Sequence, residues 1–557
     1  MKKYATRKWH GENLTEHLLF HRGHTTKEKQ EKFLYPKYEQ DQHDPFLLKD
    51  IEKAVERILS AVKNNERVVV YSDYDTDGIP GAVLFHDFFK KIGFNNFINY
   101  IPHRHDEGFG LHADAIKEFS KDETKLIITI DCGIADVASV AVANKLGIDV
   151  IITDHHMPGD KIPKAFAIIN PKQTACAYPE KMLCGSGVAF KLIQALIKRG
   201  NFSLHEGWEK WLLDMVGIAT LSDMVPLTGE NRIFAKYGLM VLRKSPRLGL
   251  KMLLKKAKTD QRFLTEDDIG FTIGPRINAA SRMGVPTDAF KLLAATDIDE
   301  AVRMVDHLDK INNERKGIVA SMVKEAKAHI KERFEDLPDV IVLGNPEWKP
   351  SLLGLVANTL AEEFVKPVYL WGRDGDGVIK GSCRSDGATD LVALMKKAPD
   401  TTFLQFGGHA FSGGFSVDTK NIHTLAEVLN TAYAEEKREK KIVELLVDCE
   451  LTLEDIDRET FRAIDLLSPF GVANEKPVFM FRNVTPSSVK LFGKEKNHLE
   501  LTFKNKTRNI SAISFFSTPD DWGIVKDKPM DLVAHIEKSM FRSREEIRLR
   551  IIDILYS

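Results

Sequence analysis

Short apolar runs that end in acidic side chains recur in the first half of the chain. The first run, Val68–Val70, predicts a buried strand, and a helical pattern follows it over Ala82–Phe89. The turn between them carries three carboxylates: Asp73, Asp75 and Asp77. Carboxylates packed into one turn repel one another unless a cation compensates their charge. The pattern therefore predicts a divalent metal at a strand-to-helix turn.

Three further apolar segments end in the same way. Leu126–Ile130 and Val150–Thr153 predict strands, and the segment before Asp223 has a more helical pattern. The potential ligands that follow these segments are Asp131, Asp154, His155, His156 and Asp223. Helical patterns separate the strands, which predicts right-handed crossovers and a parallel sheet. Because the carboxyl ends of parallel strands form a ligand crevice, we expect these side chains to meet at one edge.

Two other interpretations compete for the first turn. Its D-x-D-x-D-G spacing matches half of a calcium loop, but Leu84 occupies the position of the bidentate glutamate, and a strand replaces the entering helix. An Asp-Gly surface turn is the other common role of such residues. Four segments with the same ending favour a metal site over four separate capping residues.

The types of potential ligand narrow the chemistry further. Carboxylates and imidazoles without thiolates suit Mn²⁺ or Mg²⁺, and the number of candidates suits two ions. A pair of divalent ions can lower the pKa of a bound water and neutralise charge that grows on a phosphoryl group. The residues alone therefore predict a phosphoester or phosphoanhydride hydrolase.

Composition excludes several classes of protein. A chain of 557 residues has room for three or four domains, and no apolar run approaches the roughly 20 residues that span a bilayer. The start of the chain lacks the apolar core of a secretory signal, so we expect a cytoplasmic protein with no membrane association. The five cysteines are scattered without a CxxC pair, which predicts reduced thiols. A net charge of −1 leaves room for a local positive groove.

The pattern predicts an α/β multidomain protein. A helical leader packed on the catalytic domain covers residues 1–64, and a parallel-sheet catalytic domain covers 65–296. A connector helix is expected over 297–335, a smaller α/β domain over 336–442, and an OB-like β-barrel over 443–557.

The basic run Arg232–Arg262 fits either a solvated helix face or a stripe that tracks phosphates. We expect the last domain to lie away from the crevice, so that truncation before about residue 443 spares the chemistry.

The segments DYDTDG, DCG, DHH and SDMVPL resemble, in order and spacing, the four motifs of the DHH phosphoesterases. Nearly the whole chain is similar to the single-strand-specific DNA exonucleases of that superfamily, including PRINAASRMG, GSCRSDG, GGHAFSGGF and SPFGVANEKP. The resemblance implies a DHH domain, a DHHA1 substrate-binding domain and an OB-like single-strand-binding domain. It also implies 5′ to 3′ hydrolysis of single-stranded DNA to 5′-mononucleotides in recombination and repair. The implied partners are single-stranded DNA, a helicase and a single-strand-binding protein.

The resemblance also assigns roles to residues. The implied ligands of two divalent metal ions, with Mn²⁺ preferred or Mg²⁺, are Asp75, Asp77, Asp131, His155 and Asp223. Asp131 would bridge the ions and His156 would face the scissile phosphate, while Asp73 and Asp154 would orient ligands or water. The implied substrate contacts are Arg276, Asn278, Arg282, Ser382, Arg384, Gly407, Gly408 and His409.

Two other functions stay open. One is a DHH-type phosphodiesterase for short oligonucleotides or cyclic dinucleotides, and the other is a non-catalytic nucleic-acid-binding scaffold. The chain departs from the family pattern at Ser72, Ser281, Lys349, Ser351, Ala473 and Glu475. None of these is an implied metal ligand, so the departures bear on substrate positioning and on the surface of the last domain.

Overall fold

The computed structural model describes residues 3–373, 378–435, 444–493, 495–505, 508–525, 527–541 and 544–556. The chain divides into two compact units. The first comprises residues 1–102, 107–274 and 442–557, and the second comprises residues 103–106 and 275–441. Among the described residues, no helix combines the length and the hydropathy that crossing a bilayer requires.

The first unit begins with a leader that contains β1 (Lys3–Thr6), α1 (Leu14–His21), α2 (Lys27–Leu34), α3 (Tyr38–Asp41) and α4 (Ile51–Lys63). The next strands are β2 (Arg67–Ser72), β3 (Phe97–Tyr100), β4 (Thr124–Ile130), β5 (Asp149–Thr153) and β6 (Ala167–Ile169). The helices that accompany them are α5 (Gly78–Lys91), α6 (Ala113–Lys121), α7 (Val137–Lys145), α8 (Gly185–Arg199), α9 (Leu213–Ser222), α10 (Gly229–Leu242), α11 (Leu248–Ala257) and α12 (Glu266–Asp268), followed by a π-helical turn at Ile269–Ile273.

The second unit contains the helices α13 (Gly274–Met283, whose first residue belongs to the first unit), α14 (Thr287–Ala294), α15 (Ile298–Arg333), α16 (Pro350–Phe364), α17 (Leu391–Lys397) and α18 (Leu425–Ala434). Its strands are β7 (Ile341–Gly344), β8 (Val368–Arg373), β9 (Ile379–Arg384), β10 (Gln405–His409) and β11 (Ser412–Val417). They form a sheet in the order β10-β11-β9-β8-β7, in which β7 and β8 are parallel and the other pairs antiparallel.

The first unit resumes with a C-terminal β domain. Its elements are β12 (Glu444–Val447), β13 (Cys449–Glu450), α19 (Arg458–Asp465), β14 (Phe479–Val484), β15 (Ser488–Phe492), β16 (His498–Lys504), β17 (Asn509–Ser514), β18 (Met530–Phe541) and β19 (Arg544–Leu555). Seven strands form one sheet in the order β13-β14-β18-β19-β17-β16-β15. Short 3₁₀ helices lie at Pro45–Leu47, Trp208–Leu212, Gln261–Phe263, Thr419–Asn421, Leu453–Asp455 and Asp520–Trp522.

The catalytic sheet is fully parallel, as the sequence predicted. Its strand order is β3-β2-β4-β5-β6, and Val70 pairs with Ile128, which in turn pairs with Ile151. The central strands are buried on both faces because helices cover the two sides of a parallel sheet, which explains their continuous apolar runs. All five strands point the same way, so their carboxyl ends lie along one edge.

The leader is divided between two cores. Helix α4 packs against α8 and β6 of the catalytic domain. Strand β1 instead pairs in parallel with β12, and the buried residues Leu18, Leu19, Phe33 and Leu34 belong to the core of the C-terminal sheet. The sequence placed the whole leader on the catalytic domain, because helical periodicity shows that a face is buried without showing which distant segment covers it.

The C-terminal domain also holds the catalytic domain directly. The backbone N–H of Leu227, four residues beyond Asp223, donates to the carbonyl of Val472 at 2.8 Å. The buried Arg232 donates to the carbonyls of Phe33, at 2.7 Å, and Leu467, at 3.0 Å. The last domain therefore contacts the catalytic domain, and the expectation that it lies away from the crevice stays a prediction. Arg232, the first residue of the basic run, is thus buried and hydrogen-bonded to backbone carbonyls, so it is not part of a solvated helix face.

A buried ion pair also supports the catalytic domain. Lys191 of α8 lies 2.7 Å from Glu230 of α10, and both side chains are at most 1% exposed. Tyr178 donates to the other Glu230 oxygen at 2.5 Å.

We expect Lys191→Met to lower the free energy of unfolding by about 3 to 5 kcal/mol, because it leaves a buried carboxylate without its cation. Urea unfolding measures this. The matched control is Lys198→Met on the same helix, whose exposed partner is Asp44 and whose loss should cost below about 1 kcal/mol. Equal losses in the two variants would contradict the prediction.

Candidate metal centre

Three aspartates lie one residue beyond three neighbouring strands. Asp73, Asp131 and Asp154 each donate their backbone N–H to the last carbonyl of the adjacent strand, at 3.1, 2.9 and 3.1 Å. These hydrogen bonds extend the ladder by one step and bring the three side chains to one edge of the sheet. Asp131 takes a left-handed backbone conformation with φ of +61°, which asparagine and aspartate tolerate better than most residues.

The start of helix α8 holds Asp77 in place. The backbone N–H groups of Gly185 and Ser186 donate to the two Asp77 carboxylate oxygens at 2.6 and 2.7 Å. A Cβ atom on Gly185 would lie 2.5 Å from the Cβ of Asp131, so only glycine permits this approach. The helix N-terminus thereby fixes one predicted ligand while leaving room for another.

Asp75 has two structural tasks in the same turn. One of its carboxylate oxygens accepts the backbone N–H groups of Asp77, at 2.7 Å, and Gly78, at 3.1 Å. This arrangement closes the turn and starts helix α5. The second oxygen of Asp75 is the one that these hydrogen bonds leave for a cation.

The predicted ligands converge on His155. Its Nε2 lies 3.1 Å from Asp131 Oδ1, 3.7 Å from Asp223 Oδ2 and 3.8 Å from Asp77 Oδ2. A second group joins Asp73, Asp75 and Asp131, whose carboxylate oxygens lie within 4.8 Å of one another. Asp131 belongs to both groups, which is the position that a bridging carboxylate requires. Asp73, predicted to orient ligands or water, thus lies among potential ligands.

Burial and mutual repulsion set the protonation of these groups. Burial and the neighbouring Asp75 raise the pKa of Asp77 to about 6. Burial, together with Asp77 and Asp75, raises the pKa of Asp223 to about 9. Asp131 is fully buried beside Asp77, and its pKa is raised well above its usual range. Burial also lowers the pKa of His155 to about 3, so the imidazole is neutral and can offer a lone pair.

These residues fit divalent cations. Asp131 Oδ1 is buried and accepts no hydrogen bond from the described residues. The donors include five carboxylates and the neutral imidazole of His155, a set that suits Mn²⁺ or Mg²⁺ better than a softer ion. Positive charge is what the cluster needs, because burial and repulsion otherwise oppose its ionised form.

Both carboxylate oxygens of Asp154 accept hydrogen bonds from neighbouring residues. Its Oδ1 accepts the His156 ring Nδ1–H at 2.8 Å and the backbone N–H of His155 at 2.7 Å. Its Oδ2 accepts the backbone N–H of Ile134 at 2.9 Å. Burial opposes protonation of His156, but the hydrogen bond to Asp154, together with the charges of Asp154, Asp73 and Asp77, outweighs burial, and the pKa of His156 is raised. Asp154 therefore orients His156 toward the cleft.

Two nearby residues escaped the sequence analysis. Burial lowers the pKa of Lys172, while attraction from Asp223, Asp154 and Asp131 opposes that effect, so its ammonium group lies in the field of the cluster. Phe109 is half exposed, and its ring centre lies 5.5 Å from that of His156. Neither follows a strand that the apolar pattern predicts. The glycines that flank Phe109 were its only signal.

The remaining predicted contacts lie in the second unit. Arg276 forms an ion pair with Asp309 at 2.8 Å, and Arg282 donates to the Ser351 carbonyl at 2.8 Å. Both arginines therefore tie helices together. The Asn278 carbonyl accepts the Ser281 hydroxyl at 3.2 Å. Ser382 and Arg384 lie on β9, and the exposed segment Gly407, Gly408 and His409 forms most of β10. As substrate contacts, these eight residues stay predictions.

Several residues that depart from the family pattern make local contacts or have an unusual backbone conformation. Ser351 donates its hydroxyl to the Arg282 carbonyl at 3.0 Å, and Ser72 is buried at the end of β2. Ala473 has φ of +61°, a conformation that glycine adopts more easily. The carbonyl of Glu475 accepts a hydrogen bond from Arg22 of the leader at 2.8 Å. Lys349 lies at the start of α16, and nothing in the structure explains its identity.

Removing metal should make stability depend on pH in a defined direction. The pKa values of Asp77 and Asp223 lie above the usual 3.9, so the metal-free folded protein holds protons that the unfolded chain releases. The contribution of these two carboxyl groups to the free energy of unfolding should therefore fall as the pH rises from about 4 to 9. Calorimetry in EDTA and in Mn²⁺ tests this. The gap between the two melting temperatures should be wider at pH 8 than at pH 6, and an equal gap would contradict it.

Comparison with known proteins places these motifs in context. Three family models match the chain: "DHH family, N-terminal domain" over residues 67–220, "DHHA1 domain" over 337–435 and "RecJ OB domain" over 447–553. The single-stranded-DNA-specific exonuclease RecJ of Bacillus subtilis is 35% identical over all of this chain and 69% of the relative. That of Haemophilus influenzae is 30% identical over 91% of each chain.

Solved structures support the same family assignment. The chain resembles the crystal structure of RecJ in complex with Mn²⁺ from Thermus thermophilus, with a TM-score of 0.81 and 25% identity. The match covers 98% of this chain and 76% of that one. A manganese-bound exonuclease RecJ aligns with a TM-score of 0.59 and 30% identity over 70% of this chain and 96% of the other. The predicted DHH, DHHA1 and OB architecture is therefore confirmed.

Proposed function

The chain belongs to the RecJ family of DHH-superfamily exonucleases, and from this premise we propose that it is a metal-dependent exonuclease that hydrolyses single-stranded DNA. The observation that carries the proposal is the position of Asp131, which lies 3.1 Å from His155 and also groups with Asp73 and Asp75 at the same sheet edge. A non-catalytic scaffold has no need to maintain a buried cluster of carboxylates, which repel one another in the absence of cations.

The metal ligands are Asp75, Asp77, Asp131, His155 and Asp223, and Asp73 is close enough to join them. Divalent ions bound there would lower the pKa of a water nucleophile and neutralise charge on the phosphate. The Nδ1–H group of His156 donates a hydrogen bond to Asp154. The other ring nitrogen, Nε2, therefore lies on the opposite side of the imidazole and is available to the substrate. An Nε2–H group on this ring could donate a hydrogen bond to a phosphate oxygen.

The finer features are also part of the proposal. Hydrolysis runs from the 5′ end, releases 5′-mononucleotides and serves DNA recombination and repair. A helicase and a single-strand-binding protein supply or present the strand in the cytoplasm. Support for these features comes from the family to which the chain belongs. The substrate contacts are Arg276, Asn278, Arg282, Ser382, Arg384, Gly407, Gly408 and His409, with the two arginine ties described above also serving to shape α13.

End-labelled oligonucleotides test the proposal. A single strand labelled at the 5′ end should release labelled mononucleotide from the first time points in Mn²⁺, whereas a 3′ label should appear in progressively shorter strands. EDTA should abolish both reactions. A duplex with blunt ends is the control and should resist. Faster hydrolysis of a dinucleotide or a cyclic dinucleotide than of a long strand would replace the exonuclease with a short-substrate phosphodiesterase. Release of internal fragments would contradict exonuclease action.

A further inference from the structure

Helices α15 and α16 of the second unit enclose a groove of about 770 Å³ that none of the assignments above uses as a whole. Its cationic lining comprises Arg315, Lys316, Lys324, Lys327 and Arg384. No aspartate or glutamate is among the described residues that line it. The surface between the cations is apolar and is formed by Val319, Ala320, Val323 and Leu355. The groove thus combines one sign of charge with an apolar floor.

The cations on α15 form a stripe. Arg315, Val319, Val323 and Lys327 recur every four residues and therefore lie on one helix face. Lys327, at the far end, is ion-paired with Glu363 of α16 at 2.5 Å. The cations of α15 that have no ion pair among the described residues run from Arg315 to Lys324, roughly 14 Å at 1.5 Å per residue. Positive charge is spread along this length and is not gathered at one point. An extended polyanion fits such a distribution better than a single phosphate group does.

The arginines at the groove lack carboxylate partners. Arg384 donates one N–H to its own neighbour, the Cys383 carbonyl, at 2.8 Å, and its guanidinium packs over Gly354. Arg315 donates to Asn312 at 3.0 Å, and its Nε is buried with no hydrogen-bond partner among the described residues. Burial lowers the pKa of both groups, and no described carboxylate forms an ion pair with either. An external anion would supply the missing counter-charge.

We propose that this groove is a second contact for single-stranded DNA, with phosphates at the cations and bases against the apolar floor. The proposal rests on the proposed function, since it takes the strand as the substrate. Phosphate contacts of this kind give a salt-dependent affinity without sequence preference. Apolar contacts with the bases add to that affinity. Arg384, a predicted phosphate contact, then belongs to an extended site.

Charge reversal in the groove tests the assignment. The groove variant is Lys316→Glu/Lys324→Glu, both exposed residues of α15. The matched control, Lys310→Glu/Lys331→Glu, makes the same charge change on the same helix outside the groove. Binding of a fluorescent single strand of about 20 nucleotides is measured by anisotropy in EDTA over a range of NaCl concentrations. Thermal melts establish that both variants fold.

The groove variant should bind at least tenfold more weakly than the wild type. Its plot of log affinity against log salt should be shallower by about 1.4, since each lost phosphate contact on a single strand contributes about 0.7. The ratio of kcat/KM for the long strand to that for a dinucleotide should fall at least tenfold. The control variant should stay within twofold of the wild type throughout.

Three outcomes would overturn the assignment. The first is binding by the groove variant within twofold of the wild type, and the second is an equal loss in the control variant. The third is an equal, tenfold loss of affinity for dTMP, which would assign the groove to a free nucleotide. Because binding is measured without hydrolysis, the two proposals fail separately. A wild type that binds through the groove but does not cleave the strand would refute the exonuclease function alone.

Discussion

Replacing Asp131 with asparagine should lower kcat for single-stranded DNA by at least a hundredfold, about 2.7 kcal/mol of transition-state stabilisation, in saturating Mn²⁺. Asp131 lies 3.1 Å from His155 and also groups with Asp73 and Asp75, so its loss affects both sets of potential ligands. Asparagine keeps the shape of the side chain and tolerates the left-handed backbone at this position, whereas alanine adds strain. The change therefore tests charge alone. Single-turnover hydrolysis of a 5′-labelled strand measures it.

The same variant should not lose stability in the absence of metal. Burial and Asp77 raise the pKa of Asp131 well above its usual range, so neutralising this side chain removes repulsion. The melting temperature of Asp131→Asn in EDTA at pH 8 should equal or exceed that of the wild type. Asp160→Asn, a similar neutralisation at an exposed site, is the control and should leave activity unchanged. An active Asp131→Asn variant, or one that is inactive because it is unfolded, would refute the assigned role.

Truncation before residue 444 should abolish folding and not merely weaken the use of long strands. The missing C-terminal sheet covers Leu18, Leu19, Phe33 and Leu34, which are at most 9% exposed in the whole chain. At about 1.5 to 3 kcal/mol for each buried side chain, their exposure costs about 6 to 12 kcal/mol, which is comparable to the whole stability of a typical domain. Arg232 would also lose the carbonyl of Leu467 as an acceptor.

Expression of residues 1–443 checks this prediction. We expect an insoluble or dye-binding fragment that neither binds Mn²⁺ nor hydrolyses a dinucleotide. A soluble fragment with a cooperative thermal unfolding transition and wild-type dinucleotide hydrolysis would refute the prediction that the truncated chain does not fold. In that case the C-terminal domain would be a separable strand-binding module, as its sequence alone suggested.

The site was more predictable than the packing around it. Asp131, Asp154 and His155 each follow an apolar run, and the geometry of parallel strands is enough to bring such residues together. The contact of Asp77 with Gly185 joins segments more than 100 residues apart, and periodicity carries no information about such a pair. What α8 supplies is two backbone N–H groups, which every residue except proline has. The glycine that the close approach requires at position 185 is the one sign of it in the sequence.

Charge patterns misled for a related reason. Arg232 begins a strongly basic run, and basic runs are usually solvated. Its acceptors are backbone carbonyls of distant segments, and its guanidinium lies 3.5 Å from the centre of the Phe33 ring. Backbone acceptors leave no complementary acidic residue in the sequence. The sequence does contain an acidic partner for Arg276, namely Asp309. Asp309 lies in the connector helix, however, and the sequence does not show that this helix packs against the segment of Arg276.

The pairing of β1 with β12 affects how the protein is made. Strand β1 and helices α1 and α2 are synthesised first, yet the core that receives Leu18 and Phe33 includes Leu549. At about 5 to 20 residues per second, the ribosome needs roughly half a minute to two minutes to reach that residue. The apolar faces of the leader remain uncovered for this time. Folding of the first unit is thus completed only after the ribosome has passed Leu549, and a chain interrupted earlier exposes a surface that chaperones and proteases recognise.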